Sequence, residues 1–160
     1  DFQQALQQDS QYTNRVLSIE RSGPKPRKDL AMWAQAYEQY GYFFDELFES
    51  AFRHQGRSEH LSDFDQEVIS EACSAFLQRY SPDADQPTWF ESLKQAAADC
   101  GFATDNKAYK ADPDSFKGNV ADFARIIRVS LTGRNRTPDL HAIMQIMGEE
   151  RVRNRLAINR

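Results

Sequence analysis

The stretch RIIRVSLTGRNRTPDLHAIMQIMGEERV, at residues 125–152, predicts helices that are separated by short glycine-containing turns. Ile127 and Leu131 lie four residues apart on one helix face and continue an apolar pattern that begins upstream. This spacing predicts a helix over residues 117–131. Gly133 is placed to end that helix, because glycine adopts the left-handed backbone of a helix C-terminus without steric cost.

A second helix is predicted to begin in the T-P-D-L segment of the same stretch. Thr137 is expected as its N-cap and Pro138 as its first residue, because a hydroxyl accepts a free backbone N–H and proline has none to satisfy. We expect this helix over residues 138–147 and a last helix over residues 149–158.

The same apolar spacing predicts helices along the rest of the chain. They are expected over residues 3–20 with a break near Asp9–Thr13, over 30–53, over about 62–79 and over 88–100. Thr88 with Glu91 predicts a capping box at the start of the last of these helices. The polar segment RHQGRSEHLSD, residues 53–63, is expected to be a loop.

No segment alternates polar and apolar residues in the manner of a strand, so the predicted fold class is all-α. Two prolines and two aspartates make residues 79–88 typical of a linker. We therefore predict two small helical subdomains, residues 1–83 and 84–160.

Composition excludes several classes of protein. Of the 160 residues, 40% are hydrophobic and 28% are charged, which is typical of a globular chain. No apolar run reaches the roughly 18 residues of a membrane span, and no signal-peptide pattern is present. Cys73 and Cys100 fit no metal-binding spacing, and no catalytic arrangement of side chains is recognisable. Because the chain begins with Asp1 rather than Met, we expect a fragment of a longer protein.

Charge is distributed unevenly along the chain. The net charge is −4, but residues 1–28 carry +2, residues 29–116 carry −11 and residues 117–160 carry +5. Such a distribution can place a basic patch on an otherwise acidic protein.

The basic residues of the opening stretch are spaced to share one surface. Arg125 and Arg128 are three residues apart on one helix side, and Arg134 and Arg136 lie in the following turn. The helix start at Thr137 adds backbone N–H groups that bind anions. Single-stranded RNA is recognised by such donors, which contact phosphates and the edges of unstacked bases. The sequence therefore predicts an RNA-binding surface.

Other interpretations of these residues stay open. Arg128 is also placed to form a salt bridge with Asp122 or Glu149, and the basic residues fit ordinary solvated helix faces. The aromatic stripe within residues 30–53 favours a helix-bundle core over a base-stacking surface, because it is continuous and flanked by acidic residues.

A second basic segment, SGPKPRKD at residues 22–29, interrupts the helical pattern. Its two prolines and its glycine exclude a regular helix. The basic side chains in or beside it are Arg21, Lys25, Arg27 and Lys28. We expect these residues to contact phosphates of the same RNA.

Longer motifs extend the pattern. FKGNVADFARIIRVSLTGRNRTPDLHAIMQIMGEERVRNRL, at residues 116–156, contains R-x-x-L-T-G-R, then T-P-x-L, then G-x-E-x-V-x-x-R-L. NRVLSIERSGPKPRKDLAMW (14–33), YGYFFDELF (40–48) and WFESLKQAAADCGF (89–102) precede it. Together these segments resemble the C-terminal part of bacterial glutamyl-tRNA synthetases, whose two helical subdomains form a bundle, or cage, that binds the anticodon.

The resemblance implies roles for particular residues. In the family, the first Arg of R-x-x-L-T-G-R contacts anticodon bases, and that position is Arg128 here. The T-P-x-L start lines the anticodon pocket and corresponds to Thr137, Pro138 and Leu140, although core packing also accounts for Leu140. A family Arg that reads the third anticodon base corresponds to Arg21 or to Arg27, and the sequence does not choose between them.

The resemblance also implies what the chain lacks. The class I catalytic signatures are missing, so ATP and Mg²⁺ belong to an absent catalytic domain and this fragment is expected to hold no cofactor. The expected partner is a glutamate-specific tRNA, with glutamine tRNA left open. We expect a monomer in the cytoplasm, without membrane contact.

Two rival functions remain at this stage. One is a helical module that docks another protein. The other is the related helical cage of class I lysyl-tRNA synthetases, which would share the fold but bind a different tRNA.

Overall fold

The structure, a computed structural model, describes residues 1–21, 24–25 and 35–157. The helices of this part are α1 (Phe2–Gln8), α2 (Ser10–Leu17), α3 (Ala36–Tyr40), α4 (Asp45–Leu47), a π-helical segment (Phe48–Phe52), α5 (Arg53–His60), α6 (Gln66–Arg79), α7 (Gln86–Asp99), α8 (Asn106–Ala111), α9 (Val120–Thr132), α10 (Leu140–Met147) and α11 (Glu149–Ala157). The β structure of these residues amounts to one isolated bridge, between Ala103 and Asn119. The all-α prediction is confirmed.

The first helical region breaks where the sequence predicted. Asp9 has an extended backbone between α1 and α2, and its carboxylate accepts a hydrogen bond from the Tyr12 N–H at 2.9 Å. An Asp in this position ends one helix and caps the next, because its side chain competes with the backbone for the same N–H groups.

The continuous helix predicted over residues 30–53 is wrong for the residues that the structure describes. The chain leaves the helix in a short 3₁₀ turn at Gly41–Phe43, and Phe44 is extended. Tyr42, Phe43 and Phe44 are all buried. Consecutive helical residues face different directions, so three successive aromatic rings enter the core only where the helix is interrupted.

The loop predicted over residues 53–63 is also wrong, because α5 occupies most of it. Its sequence is polar, but Arg53 and Gly56 are buried where α5 packs against α9. Tertiary contact on one narrow face therefore stabilises a helix whose composition resembles that of a loop.

Aspartates, rather than the predicted threonines, cap the later helices. Asp85 accepts the Thr88 N–H at 2.9 Å, and Asp139 accepts the Ala142 N–H at 2.9 Å. The capping box expected at Thr88 and the N-cap expected at Thr137 are therefore wrong, and α10 begins two residues after Pro138.

The long helix α9 follows its local sequence closely. Asn119 caps it, forming a reciprocal capping box with Asp122. Gly133 ends it with φ 66°, the left-handed conformation that was predicted.

One hydrophobic cluster contains buried residues from both predicted subdomains. Helix α6 contacts α7, α9 and α11, and α5 contacts α9. The division into residues 1–83 and 84–160 stays a prediction, and the core extends across it.

A buried arginine connects the last helix to the aromatic turn. Arg155, 2% exposed, donates to the carbonyls of Tyr42 and Leu131, both at 2.7 Å, and to the Asp45 carboxylate at 2.6 Å. Its guanidinium also lies 4.1 Å from the centre of the Phe48 ring. The conformation of the turn at residues 41–45 thus depends on a side chain more than a hundred positions away.

None of the described helices is both long enough and apolar enough to cross a lipid bilayer.

Candidate nucleic-acid interface

The turn that follows α9 is held by a buried threonine. Thr132 is fully buried, its hydroxyl donates to the Arg128 carbonyl at 2.8 Å, and it accepts the Arg134 N–H at 3.1 Å. Gly133 allows the chain to reverse here. The Thr and Gly of L-T-G-R therefore determine the backbone conformation between Arg128 and Arg134. The sequence predicted only that Gly133 ends the helix, and it gave no structural role to Thr132.

The following loop, residues 134–139, is anchored from the N-terminal region. The Glu20 carboxylate accepts the Asp139 N–H at 2.8 Å, and Glu20 itself has a positive φ of 55°. Gln86, at the start of α7, donates to the Asp139 carboxylate at 3.3 Å. Three distant segments thus meet at Asp139.

Asp139 also alters the predicted anion site at the start of α10. Its carboxylate occupies this helix N-terminus by accepting the Ala142 N–H. A second anion would be repelled there, so the predicted free N–H groups are not an open site.

Two clefts flank the loop. The Arg134 cleft has a volume of about 370 Å³ and is lined by Glu38, Gln39, Tyr40, Tyr42, His60, Arg134, Asn135, Arg136, Thr137 and Pro138. The Arg128 cleft has a volume of about 490 Å³ and is lined by Gln86, Pro87, Trp89, Phe90, Leu93, Ala124, Arg128, Asp139 and Leu140. Consecutive residues, Pro138 and Asp139, line different clefts, so the two clefts adjoin across this backbone.

The Arg134 cleft is lined by four of the predicted residues, namely Arg134, Arg136, Thr137 and Pro138. Arg134 lies over the Phe52 ring at 4.8 Å, and its buried Nε has no hydrogen-bond partner among residues 1–21, 24–25 and 35–157. Arg136 is exposed at the rim. Arg21 donates to the hydroxyl of Tyr40, which lines the cleft, at 3.0 Å. The cleft therefore has unused guanidinium donors next to aromatic rings.

The Arg128 cleft contains a guanidinium group that has no ion-pair partner in the described part of the chain. Arg128 is half-buried and forms no ion pair with any residue that the structure describes. The two carboxylates considered as its partners are engaged elsewhere: Asp122 with Arg125 at 3.3 Å, and Glu149 with Arg153 at 2.7 Å. Leu140 is 2% exposed and belongs to the core as well as to the cleft wall.

The structure does not bring Arg125 to Arg128. Its guanidinium lies 2.6 Å from the Asp63 carboxylate, donates to the His60 carbonyl and covers the Phe64 ring at 4.9 Å. A hydrogen bond from Arg125 lowers the pKa of Asp63 below its usual 3.8. Arg125 lines neither cleft. It instead contacts the segment that connects α5 to α6.

The second basic segment is only partly described. Lys25 is exposed, whereas Arg27 and Lys28 lie outside the described residues. Arg21 adjoins the Arg134 cleft through Tyr40, but the choice between Arg21 and Arg27 stays a prediction.

The chemistry of the described side chains favours ligand binding at the two clefts. Cys73 and Cys100 are buried free thiols, and burial raises the pKa of Cys100 to about 11. Among the described residues, no three His, Cys, Asp or Glu side chains are grouped to hold a metal ion. Both clefts instead present fork-shaped donors and flat apolar surfaces, which suit phosphates and unstacked bases.

Comparison with known proteins agrees with this geometry. Residues 106–159, which include α9, the loop and α10, match the family model of an anticodon binding domain. The donor-rich loop after α9 therefore lies inside the segment that matches the anticodon binding domains.

Most of the chain also aligns with individual proteins of known name. It is 44% identical over 141 residues to the glutamate–tRNA ligase of Clostridium perfringens strain 13, covering 88% of this chain and 26% of the relative. It is 40% identical over 142 residues to that of Acetivibrio thermocellus (89% and 25%), and 34% identical over 152 residues to that of Sorangium cellulosum (95% and 26%). No solved structure gives a significant match.

The chain therefore corresponds to the anticodon-binding part of the glutamate–tRNA ligases, and it spans about a quarter of the length of the relatives it matches.

Proposed function

We propose that this chain binds the anticodon loop of a glutamate-accepting tRNA through the Arg134 and Arg128 clefts. The observation that carries the proposal is the set of guanidinium groups around residues 128–138. Arg128, Arg134 and Arg136 face two adjoining clefts and form no ion pair with a described residue.

Unpaired guanidinium groups at a surface suit phosphate and base recognition. An Arg already bonded to a carboxylate has its fork occupied, as Arg125 has with Asp63. An unpaired Arg is free to contact a phosphate or the edge of a splayed base. Two adjoining clefts suit a loop whose successive bases point in different directions.

The parent protein would attach glutamate to the bound tRNA. The names of the relatives support this activity. ATP and Mg²⁺ would act in the part of such a protein that corresponds to the three-quarters of the relatives' length outside the matched region. We propose a monomer that works in the cytoplasm, with glutamate tRNA as the principal partner and glutamine tRNA as a second candidate.

Titration with tRNA tests the proposal. The 160-residue chain is mixed with transcripts of glutamate, glutamine and lysine tRNA at several salt concentrations. We expect saturable binding that is tightest for glutamate tRNA and weakens steeply with salt, because each phosphate contact releases counterions. Absence of binding at low salt would overturn the proposal.

A matched pair of variants locates the interface. Arg134→Ala should weaken binding and reduce the slope of log affinity against log salt. Arg79→Ala is the control, because Arg79 is an exposed arginine that pairs with Asp99 at 2.8 Å and lines neither cleft. Equal losses for the two variants would place the RNA elsewhere.

A further inference from the structure

Among the described residues, Phe90 is the large hydrophobic side chain that is exposed to solvent. It is 48% exposed, whereas its neighbours on α7, Trp89 and Leu93, are 6% and 1% exposed. Those two residues already supply the inner face of the helix. Core packing therefore does not explain an aromatic residue at position 90.

The Phe90 ring lies in the wall of the Arg128 cleft. The cleft is also lined by Pro87, Leu93 and Leu140, so its lining contains several apolar side chains besides Phe90. Arg128 lies in the same cleft without an ion pair to a described residue. A flat apolar surface beside an unused guanidinium matches the two parts of a nucleotide, its base and its charged or polar edges.

Charge favours RNA over a protein as the occupant of this cleft. The ammonium group of Lys94, which also pairs with Glu91, lies 5.5 Å from the centre of the Phe90 ring, and Arg128 of α9 lines the same cleft as that ring. A negatively charged backbone is attracted to Arg128, which has no ion pair with a described residue, and its bases supply planar faces for the ring. The Asp139 carboxylate, which lines the same cleft, already accepts hydrogen bonds from the Ala142 N–H and from Gln86. The cleft volume of about 490 Å³ is within the range of pockets that enclose small ring systems.

We propose that Phe90 is a stacking surface for one unpaired base of the bound RNA loop, with Arg128 contacting the same nucleotide. This inference rests on the proposed anticodon binding and adds a residue to it. Stacking on Phe90 would tolerate any base, because every base has a π face, so Phe90 contributes affinity while Arg128 contributes selectivity.

Substitutions at position 90 test the stacking contact. Phe90→Ala should weaken binding of glutamate tRNA about tenfold, the usual size of one lost base–aromatic stack. Phe90→Tyr should bind as the wild type does, because the flat ring is kept. Phe90→Leu should resemble Phe90→Ala, because it is apolar but has no π face. Phe2→Ala, which removes a partly buried aromatic residue that lines neither cleft, is the control and should leave binding unchanged.

Abasic RNA separates stacking from indirect effects. Each anticodon-loop nucleotide of the tRNA is replaced in turn by an abasic one, and binding is measured with the wild type and with Phe90→Ala. At one position the two proteins should bind equally, because the base and the ring are lost as a pair. A tenfold difference that persists at every position would overturn the stacking contact.

The outcomes distinguish this inference from the proposed function. If the wild type binds no tRNA, the anticodon-binding proposal itself fails. If the wild type binds and Arg128→Ala weakens binding, but Phe90→Ala does not, only the inference about Phe90 is overturned. Thermal unfolding of each variant checks that it is folded, and a half-exposed side chain should be removable without loss of the fold.

Discussion

At the scale of single residues, burial divides the arginines near the C-terminus into two roles. Arg155 is 2% exposed and uses its donors on two backbone carbonyls and the Asp45 carboxylate. Arg128 is half-buried and has no ion pair with a described residue. The first is a structural residue whose loss would leave acceptors without partners, and the second is available to a ligand.

Arg128→Ala should weaken binding of glutamate tRNA by about 1–3 kcal/mol, the usual contribution of an arginine that reads a base. The free energy of unfolding should change by less than about 0.5 kcal/mol, since the guanidinium forms no ion pair or hydrogen bond with a described residue. Filter binding and urea unfolding measure the two quantities. Unchanged affinity in a folded variant would show that Arg128 does not contact the RNA.

Asp45 should make the protein sensitive to acid. Burial alone would raise the pKa of this carboxyl, but hydrogen bonds from Arg155 and Arg151 lower it below the usual 3.8. Because the pKa is lower in the folded state, this stabilisation is complete above about pH 4 and is lost as the pH falls through the folded-state pKa.

The variant Asp45→Asn should therefore lose less of its free energy of unfolding than the wild type does when the pH falls from about 5 to about 3. This is the interval in which an ordinary Asp side chain becomes protonated. Glu46→Gln is the matched control, because Glu46 is an exposed neighbour of Asp45. It should keep the acid sensitivity of the wild type. Urea unfolding at each pH gives the comparison, and equal acid losses for Asp45→Asn and wild type would contradict it.

At the scale of elements, the start of α10 is set by Asp139 rather than by Thr137. The Asp139 carboxylate caps the helix and also accepts from Gln86, whereas the Thr137 hydroxyl donates to the Pro138 carbonyl at 2.8 Å. A T-P-D sequence contains two residues suited to capping, and the contacts with Gln86 and Glu20 favour the second.

Asp139→Ala should lower the free energy of unfolding by about 1 kcal/mol, the typical cost of losing an N-cap. Thr137→Ala should lower it by less than about half as much, because its hydroxyl caps no helix. Urea unfolding of the pair decides which residue is the cap. A larger loss for Thr137→Ala would contradict the structure.

Helices α5 and α9 approach each other through two glycines. A Cβ atom built on Gly56 would lie 2.3 Å from the Gly133 carbonyl oxygen, and one built on Gly133 would lie 2.2 Å from the Phe52 carbonyl oxygen. Backbone atoms cannot move aside as a flexible side chain does, so this contact requires glycine on both helices.

Gly56→Ala should therefore destabilise the protein by about 1–3 kcal/mol, the usual effect of overpacking. Helix propensity alone predicts the opposite sign, since Ala is better than Gly inside a helix by about 1 kcal/mol. Ser58→Ala, on the exposed side of α5, changes propensity and removes only a local hydrogen bond to the Gln55 carbonyl, so it should be nearly neutral. Thermal unfolding measures both, and a stabilised Gly56→Ala variant would contradict the close approach.

At the scale of the whole molecule, the core and the interface both cross the predicted subdomain boundary. Helix α6 packs against α7, α9 and α11, and the Arg155–Asp45 pair joins the C-terminal helix to the N-terminal half. The Arg134 cleft likewise takes residues from α3 and from the loop after α9. Folding of one half without the other would leave apolar helix faces exposed.

We therefore expect the chain to unfold in a single cooperative transition. The fluorescence of the two tryptophans, Trp33 and Trp89, and the helical circular dichroism should change at the same urea concentration. Residues 1–83 and 84–160, produced separately, should show no cooperative unfolding. Two separate transitions in the whole chain would support independent subdomains.

The sequence by itself determined the local features of this protein. Apolar spacing specified a helical chain, Gly133 specified the end of α9, and the motifs at residues 128–140 specified the anticodon-binding family. These features depend on residues within a few positions of each other, so a local pattern contains them.

Only the tertiary structure decided which donors are available to RNA. Arg125 pairs with the Asp63 carboxylate, and Arg155 donates to the carbonyls of Tyr42 and Leu131. Arg128 has no such partner among the described residues. The polar helix α5 and the two adjoining clefts arise in the same way. Each depends on groups that are distant in the chain and meet only in the folded core, where packing and hydrogen bonding override local preference.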